Sequence, residues 1–257
     1  MLCKITFSSK KNIVLPISYN YILQGVLYKF INEESFADFL HNKGYLYNNR
    51  VYKLFSFSNI LENPLQIDRD RKQFTFPKDI NIYFSSVNNE FFQFVFNSII
   101  TMKDNIYLGT NTTIISRIEF INQVIGEKEI VAAMSPITVY STLTSYENVK
   151  KTYYYNPAEK EFSNNIRKNL INKYHSFYDK LPEDDEFDIY PIGRYQERIV
   201  NYKNFIIKGY TGKFEIEGSK KLMEMAFCAG LGSKNSQGFG NIIKIGEWLM
   251  YCSFSFK

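Results

Sequence analysis

Eleven residues late in the sequence, Gly230-Leu-Gly232-Ser-Lys-Asn-Ser-Gln-Gly238-Phe-Gly240, hold four of the chain's 13 glycines. Glycine carries no Cβ and tolerates positive φ, so such a stretch can converge its backbone amides on an anion. Between the two Gly-hydrophobic-Gly units, Ser233, Lys234, Asn235, Ser236 and Gln237 all offer donors suited to phosphate or sugar. A P-loop needs Lys and then Ser or Thr after its last glycine, and here Phe239 follows Gly238. A dinucleotide fingerprint sits between an early strand and a helix, whereas this loop follows a helical stretch and precedes a strand-like one. The plain alternative is a helix C-cap leading into a bulged start of a strand.

A second set of cations lies just upstream. Arg194, Arg198, Lys203, Lys208 and Lys213 are spread over two β-rich runs, interleaved with Tyr195, Tyr202 and Tyr210. Cations for phosphate and rings for unstacked bases are what single-stranded RNA recognition requires. Arg194 and Arg198 are an even number of residues apart and on one strand would share a face. An ordinary hairpin with a polar outer face is the competing reading. Only two histidines exist, His41 and His175, with no Cys-x-x-Cys or His-Glu-x-x-His pattern, so neither a metal nor another cofactor is expected. The acidic run Glu183-Asp-Asp-Glu186 follows Pro182 and reads as a solvated turn, because consecutive carboxylates on a loop do not converge as a two-metal site does.

The elements that must position these groups fall into two similar series. The first predicts a strand at Cys3–Ser8, a helix over Tyr21–Asn32 and a short helix over Ser35–Asn42. Strands at Val51–Ser58, Gln73–Phe76 and Ile80–Ser86, a helix over Asn88–Met102 and a strand from Ile114 to Ile121 complete it. After a polar break at Gly126–Glu129 the series restarts. It predicts a strand at Ile130–Tyr140 interrupted at Pro136, a helix over Asn156–Lys173 and paired strands at Ile189–Val200 and Phe205–Ile216. A helix over Gly218–Ala229 and a last strand from Asn241 follow. Each half approximates strand–helix–strand–strand–helix–strand, so the expected fold is α+β, two tandem ferredoxin-like (βαββαβ) domains spanning 1–125 and 126–257.

Composition limits the function classes. A net charge of +5 over 257 residues is too small for a histone-like polycation but allows a basic groove on a mixed surface. With 23 Phe and 20 Tyr the chain has far more buriable surface than a disordered one, though each tyrosine must still place a hydroxyl. No run approaches the roughly 20 apolar residues of a membrane span. Three scattered cysteines and a strand-like start in place of a signal peptide lead to the expectation of a cytoplasmic protein.

The glycine loop between a helix and a last strand resembles the signature of the repeat-associated RNA-binding superfamily of CRISPR systems. Upstream, Pro16-Ile-Ser-Tyr-Asn-Tyr-Ile-Leu-Gln-Gly-Val-Leu-Tyr28, Phe39-Leu-His41-Asn-Lys-Gly44 and Tyr52-Lys53-Leu-Phe-Ser-Phe-Ser58 resemble successive motifs of the CRISPR-associated endoribonuclease that processes repeat transcripts, the Cas-six type. Met134-Ser-Pro-Ile137 is similar to the opening of that family's second domain. The resemblance spans nearly the whole chain and implies two ferredoxin-like domains and metal-free cleavage of precursor RNA within the repeat. It places His41, Tyr28 and Lys53 at the family's catalytic histidine, tyrosine and lysine. It also implies RNA contacts from the glycine loop (Gly230, Gly232, Ser233, Lys234, Asn235, Ser236, Gln237, Gly238, Gly240), to which the hairpin adds Arg194, Arg198, Lys203 and Lys208. Repeat RNA is the expected partner, with hand-over of the product to an interference complex and a homodimer left open. The alternative is a catalytically silent RNA-binding subunit of a CRISPR ribonucleoprotein.

Overall fold

Strand β1, Leu2–Ser8, alternates as a half-buried strand should, with Cys3, Ile5 and Phe7 turned into the core and Lys4, Thr6 and Ser8 less buried. In the computed structural model, which describes residues 1–30, 44–101, 105–144, 150–203 and 205–246, β1 is a central strand of a five-stranded antiparallel sheet. A short β2 (Ile13–Pro16) leads into α1 (Asn20–Lys29), which buries Leu23, Val26 and Leu27, with Phe30 just beyond, at the spacing of one helix face. The chain then forms β3 (Tyr45–Tyr47), β4 (Arg50–Tyr52) and β5 (Phe55–Phe57), followed by β6 (Gln66–Asp68), β7 (Gln73–Phe76) and β8 (Asp79–Ser86). Helix α2 (Asn89–Thr101) begins where the Asn88 carboxamide oxygen accepts from the amides of Glu90 and Phe91, as an N-cap does. β9 (Ile106–Leu108) and β10 (Asn111–Ile121) end this half.

The large sheet runs β5-β8-β1-β10-β9. With β1, β5, β8 and β10 as the four strands of the motif, its order is second, third, first, fourth, which is the ferredoxin-like arrangement. The second half repeats it. β11 (Lys128–Ala133) is followed by the hairpin β12 (Tyr140–Thr144) and β13 (Lys150–Tyr154). Then come α3 (Lys160–Tyr178), β14 (Phe187–Tyr202), β15 (Phe205–Gly218), α4 (Lys220–Ala229) and β16 (Ile242–Lys244). Its sheet runs β14-β15-β11-β16, the same order. The chain is therefore α+β with two ferredoxin-like units in tandem.

The expected strand over Val51–Ser58 is instead two strands with different partners. β4 pairs with β3 through an Asn48-Asn49 turn in which both residues have positive φ, while β5 pairs with β8 in the large sheet. Between them Leu54 takes φ of 54°, and the resulting kink turns the chain from one pairing to the other. The strand expected to run to Tyr140 stops at Ala133, and the β12–β13 hairpin beyond it has exposed residues in place of the alternation that marks half-buried strands.

The two halves share a buried polar seam. The Asn241 carboxamide nitrogen donates to Ser56 Oγ at 2.9 Å and Ser85 Oγ at 3.2 Å, and those two hydroxyls are 2.8 Å apart. All three side chains are buried, so removing any one would orphan polar atoms away from water.

Candidate functional site

A cleft of about 660 Å³ is lined by the run Arg50–Phe55, by Ser233–Gln237 of the glycine loop and by Tyr140–Thr142. Arg50, Lys53, Lys173 and Lys234 supply its basic groups, and no Asp or Glu is among its described lining residues. Such a surface attracts a polyanion.

Lys53 sits at the kink between β4 and β5, and partial burial lowers its pKa below the ordinary lysine value. In the glycine loop Lys234 is shifted the same way for the same reason, and its Nζ lies 5.5 Å from the centre of the Tyr140 ring. Tyr28, from the last turn of α1, packs edge-on against Phe55 with ring centres 5.8 Å apart, directly behind the cleft wall. Burial, reinforced by nearby Tyr202, pushes its pKa up to about 12, so near neutral pH it is a phenol able to donate a hydrogen bond. His41 lies outside the described residues, as do Lys43 and the short helix expected over Ser35–Asn42.

The glycine loop is held from within. Lys173 of α3, only 3% exposed, donates from Nζ to the carbonyls of Gly230 (2.7 Å) and Gly232 (3.1 Å) and to Asn235 Oδ1 (2.8 Å). Asn235 in turn donates from Nδ2 to the carbonyls of Leu231 and Phe239 at 2.9 and 3.0 Å. Burial pulls the Lys173 pKa down to about 7, and the ammonium form is the one that donates to all three oxygens.

From the other half, Asn20 donates to the carbonyls of Gln237 and Gly238, and Gln24 Nε2 donates to the Ser236 carbonyl at 2.6 Å. The Tyr202 hydroxyl donates to Gln24 Oε1. Asn20, Gln24 and Tyr28 are four residues apart along α1 and form one stripe against the loop and the cleft wall.

Part of the loop's amide set is already used within the fold. The amides of Leu231, Ser233, Gln237, Gly238 and Gly240 already donate to backbone carbonyls. Gly230 caps α4, as the plain alternative had it. Gly230, Gly232, Gly238 and Gly240 are buried, and they serve close packing. A Cβ on Gly240 would lie 1.9 Å from the Leu231 carbonyl oxygen, and one on Gly238 would lie 2.5 Å from Asn20 Nδ2. What faces the cleft is the half-exposed polar set Ser233, Lys234, Ser236 and Gln237, with Asn235 turned inward.

The basic hairpin is also rearranged. The pairing of β14 with β15 shifts between Ile192 and Gln196, where Gly193 has positive φ. The bulge breaks the period of two, so an even separation no longer puts Arg194 and Arg198 on one face. Arg194 and Lys203 are exposed, Arg198 bonds through Nε to Thr211 Oγ1, and Lys208 lies 3.4 Å from a Glu197 oxygen. The three tyrosines are not open stacking platforms: Tyr202 and Tyr210 are buried, and Tyr195 donates its hydroxyl to Asn156 at 2.7 Å.

Lys173, Asn20 and Gln24 were missed by the sequence reading. The polar stripe at 20, 24 and 28 in a largely apolar helix was a usable signal; Lys173 carried none, since one lysine in a polar helix reads as surface. His175 stacks on Tyr47 with ring centres 3.9 Å apart. The acidic run at 183–186 is exposed, as expected, and Asp185 pairs with Arg167. Among the described residues, no three His, Cys, Asp or Glu side chains come together as a metal site would need, and no helix is long and apolar enough to cross a membrane.

Two family models match in succession: residues 14–119 match "CRISPR-associated protein Cas6, N-terminal" and residues 119–243 match "CRISPR associated protein Cas6, C-terminal". The chain is 27% identical over 235 residues to the CRISPR-associated endoribonuclease Cas6 1 of Methanocaldococcus jannaschii, covering 90% of this chain and 88% of the relative. It is also 27% identical over 244 residues to a putative CRISPR-associated endoribonuclease-like protein Cas6 of Pyrococcus furiosus, covering 92% of this chain and 94% of that one. Among solved structures, that of a Cas6-related gene from Pyrococcus furiosus superposes with a TM-score of 0.82 at 25% identity, over 96% of this chain and 99% of the other.

Proposed function

This chain belongs to the Cas6 family, and from that premise we propose that it is a metal-independent endoribonuclease that cleaves CRISPR repeat RNA in precursor transcripts. The products are a 2′,3′-cyclic phosphate and a 5′-hydroxyl, and residues 1–125 supply the reacting groups while residues 126–257 supply the glycine loop. The observation that carries this reading is the cleft itself. Lys53 from the first half and Lys234 from the second both line it, Tyr28 packs behind Phe55 of its lining, and no carboxylate is among its described lining residues.

In such a reaction the RNA's own 2′-hydroxyl attacks the adjacent phosphorus. The enzyme must accept the hydroxyl proton, return one to the departing 5′-oxygen and stabilise a phosphorane with two negative charges. His41 is the proton-transfer group, since imidazole titrates near neutrality. Lys53 stabilises charge on the phosphorane oxygens, and its partly desolvated ammonium interacts more strongly with them than one in water would. Tyr28, held as a phenol, acts as a donor that orients the 2′-hydroxyl or the phosphate and not as the base. Lys234, Ser236 and Gln237 hold the RNA backbone from the glycine loop, and Arg194 and Lys203 extend the grip along the hairpin. The product then passes to an interference complex.

The test is cleavage of a repeat-containing transcript in EDTA by wild type, His41→Ala and Lys53→Ala, with end-group analysis of the products. Cleavage in EDTA that leaves cyclic phosphate, and its loss in both variants, is the expected result. Wild-type cutting that needs added magnesium would overturn the metal-free mechanism, and undiminished cutting by His41→Ala would overturn the site. A silent RNA-binding subunit is the second reading, favoured by the endoribonuclease-like description of the Pyrococcus furiosus relative. It predicts binding of the repeat with no product under any condition.

A further inference from the structure

A second groove, of about 380 Å³, continues from the cleft over helix α3. The two share Arg50, Tyr140, Ser141 and Ser233, so one chain can pass from the first into the second. Its floor is a single face of α3, with Asn165, Lys168, Asn169 and Asn172 at the i, i+3, i+4, i+7 spacing. As in the cleft, no Asp or Glu is among the described lining residues, although the chain carries 26 of them. With Asn48 the lining holds four carboxamides beside two cations, a different chemistry from the lysine-lined cleft. Carboxamides donate and accept at once and match the edges of nucleobases, which cations alone do not read.

Asn169 adds an independent sign of a missing partner. Its Oδ1 is buried, with no hydrogen-bond partner among the described residues. A buried acceptor left unpaired is destabilising, and a ligand donor reaching it from the groove would relieve that. Asn165 differs, since its Nδ2 already bonds the Glu161 carbonyl at 2.7 Å.

We infer that the α3 groove is a base-reading subsite for an unpaired nucleotide of the RNA, contiguous with the cleft. In it Asn169 and Asn172 take the base edge, and Arg50 and Lys168 take the flanking phosphates. The inference deepens the RNA-processing reading and rests on it. Adenine and cytosine present an exocyclic amine to the waiting Asn169 oxygen; uracil presents carbonyls and only a ring N–H. The subsite therefore favours amine-bearing bases.

The experiment measures the affinity of wild type, Asn169→Leu and Lys168→Ala for short homopolymers of A, C and U, each across a salt series. Asn169→Leu should lose about tenfold on A and C and much less on U, the fold-change equivalent of one base contact. Lys168→Ala, an exposed substitution that leaves the fold intact, should weaken all three alike and lower the salt slope by about one. Wild-type affinity for every homopolymer in both variants, with wild type still binding and cutting repeat RNA, would overturn the subsite alone. A wild type that binds no RNA would overturn this inference together with the function it rests on.

Discussion

The two walls of the cleft are built by opposite strategies. The wall formed by residues 50–55 takes in all of β4 and the start of β5, with the kink at Leu54 between them, and is held by the pairing of those strands with β3 and β8; it leaves Lys53 half-exposed. The glycine-loop wall is tied at almost every carbonyl, by Lys173 and Asn235 from below and by Asn20 and Gln24 from the other half. Asn20 and Gln24 tie the loop to the other half, so Lys53, proposed to stabilise charge, shares its cleft with a polar wall bonded from both halves. Reaction chemistry needs only a few well-placed groups; placing them depends on the contacts around them.

If the contrast is right, substitutions in the loop should harm folding and those in the kinked wall should harm catalysis. The largest effect belongs to Gly240→Ala, where the new Cβ would meet the Leu231 carbonyl oxygen at 1.9 Å. A loss of more than about 4 kcal/mol, or failure to fold, should appear in denaturant unfolding. Lys173→Met follows at about 3 kcal/mol, because it orphans three buried oxygens.

That variant also carries a pH signature. The folded lysine releases its proton near 7 and the unfolded one near 10.5, so the unfolded state binds more protons between those values. Wild-type stability should thus rise relative to Lys173→Met as the pH goes up through that window. Unfolding midpoints that track each other from neutral to alkaline pH would contradict it.

Lys53→Ala sharpens the other side: about a hundredfold fall in kcat in single-turnover cleavage with the unfolding midpoint little moved. Tyr28→Phe should cost roughly tenfold, the worth of one hydrogen bond. The smallest effect is Gly25→Ala, an exposed helix position with nothing within 4 Å of the added Cβ, which should stabilise by about 0.5–1 kcal/mol. A Gly25→Ala as damaging as Gly240→Ala would remove the contrast between packing glycines and incidental ones.

Much of the architecture was legible because it rests on local periodicity. β7 runs over Gln73–Phe76 as its β-formers predict, and Asn88 starts α2 because its side chain can cap the amides that follow. Val51–Ser58 was misread as one strand because β-propensity says what is extended and not what it pairs with. The interleaved tyrosines of the β14–β15 hairpin had the composition of a stacking surface, but Tyr202 and Tyr210 are buried by packing from elements far away in the chain.

The sequence by itself determined the α+β class, the doubled element order and the glycine loop, since each follows from residue type and short-range spacing; His41, Tyr28 and Lys53 stood out through the family resemblance of the motifs around them. Only the tertiary structure decided that the loop's glycines serve packing and that a lysine 57 residues from Gly230 holds the loop. It also decided that Lys53 and Lys234, far apart in the chain, line one cleft. Burial and partnership arise from contacts between distant segments, and neither is written in the local pattern of either one.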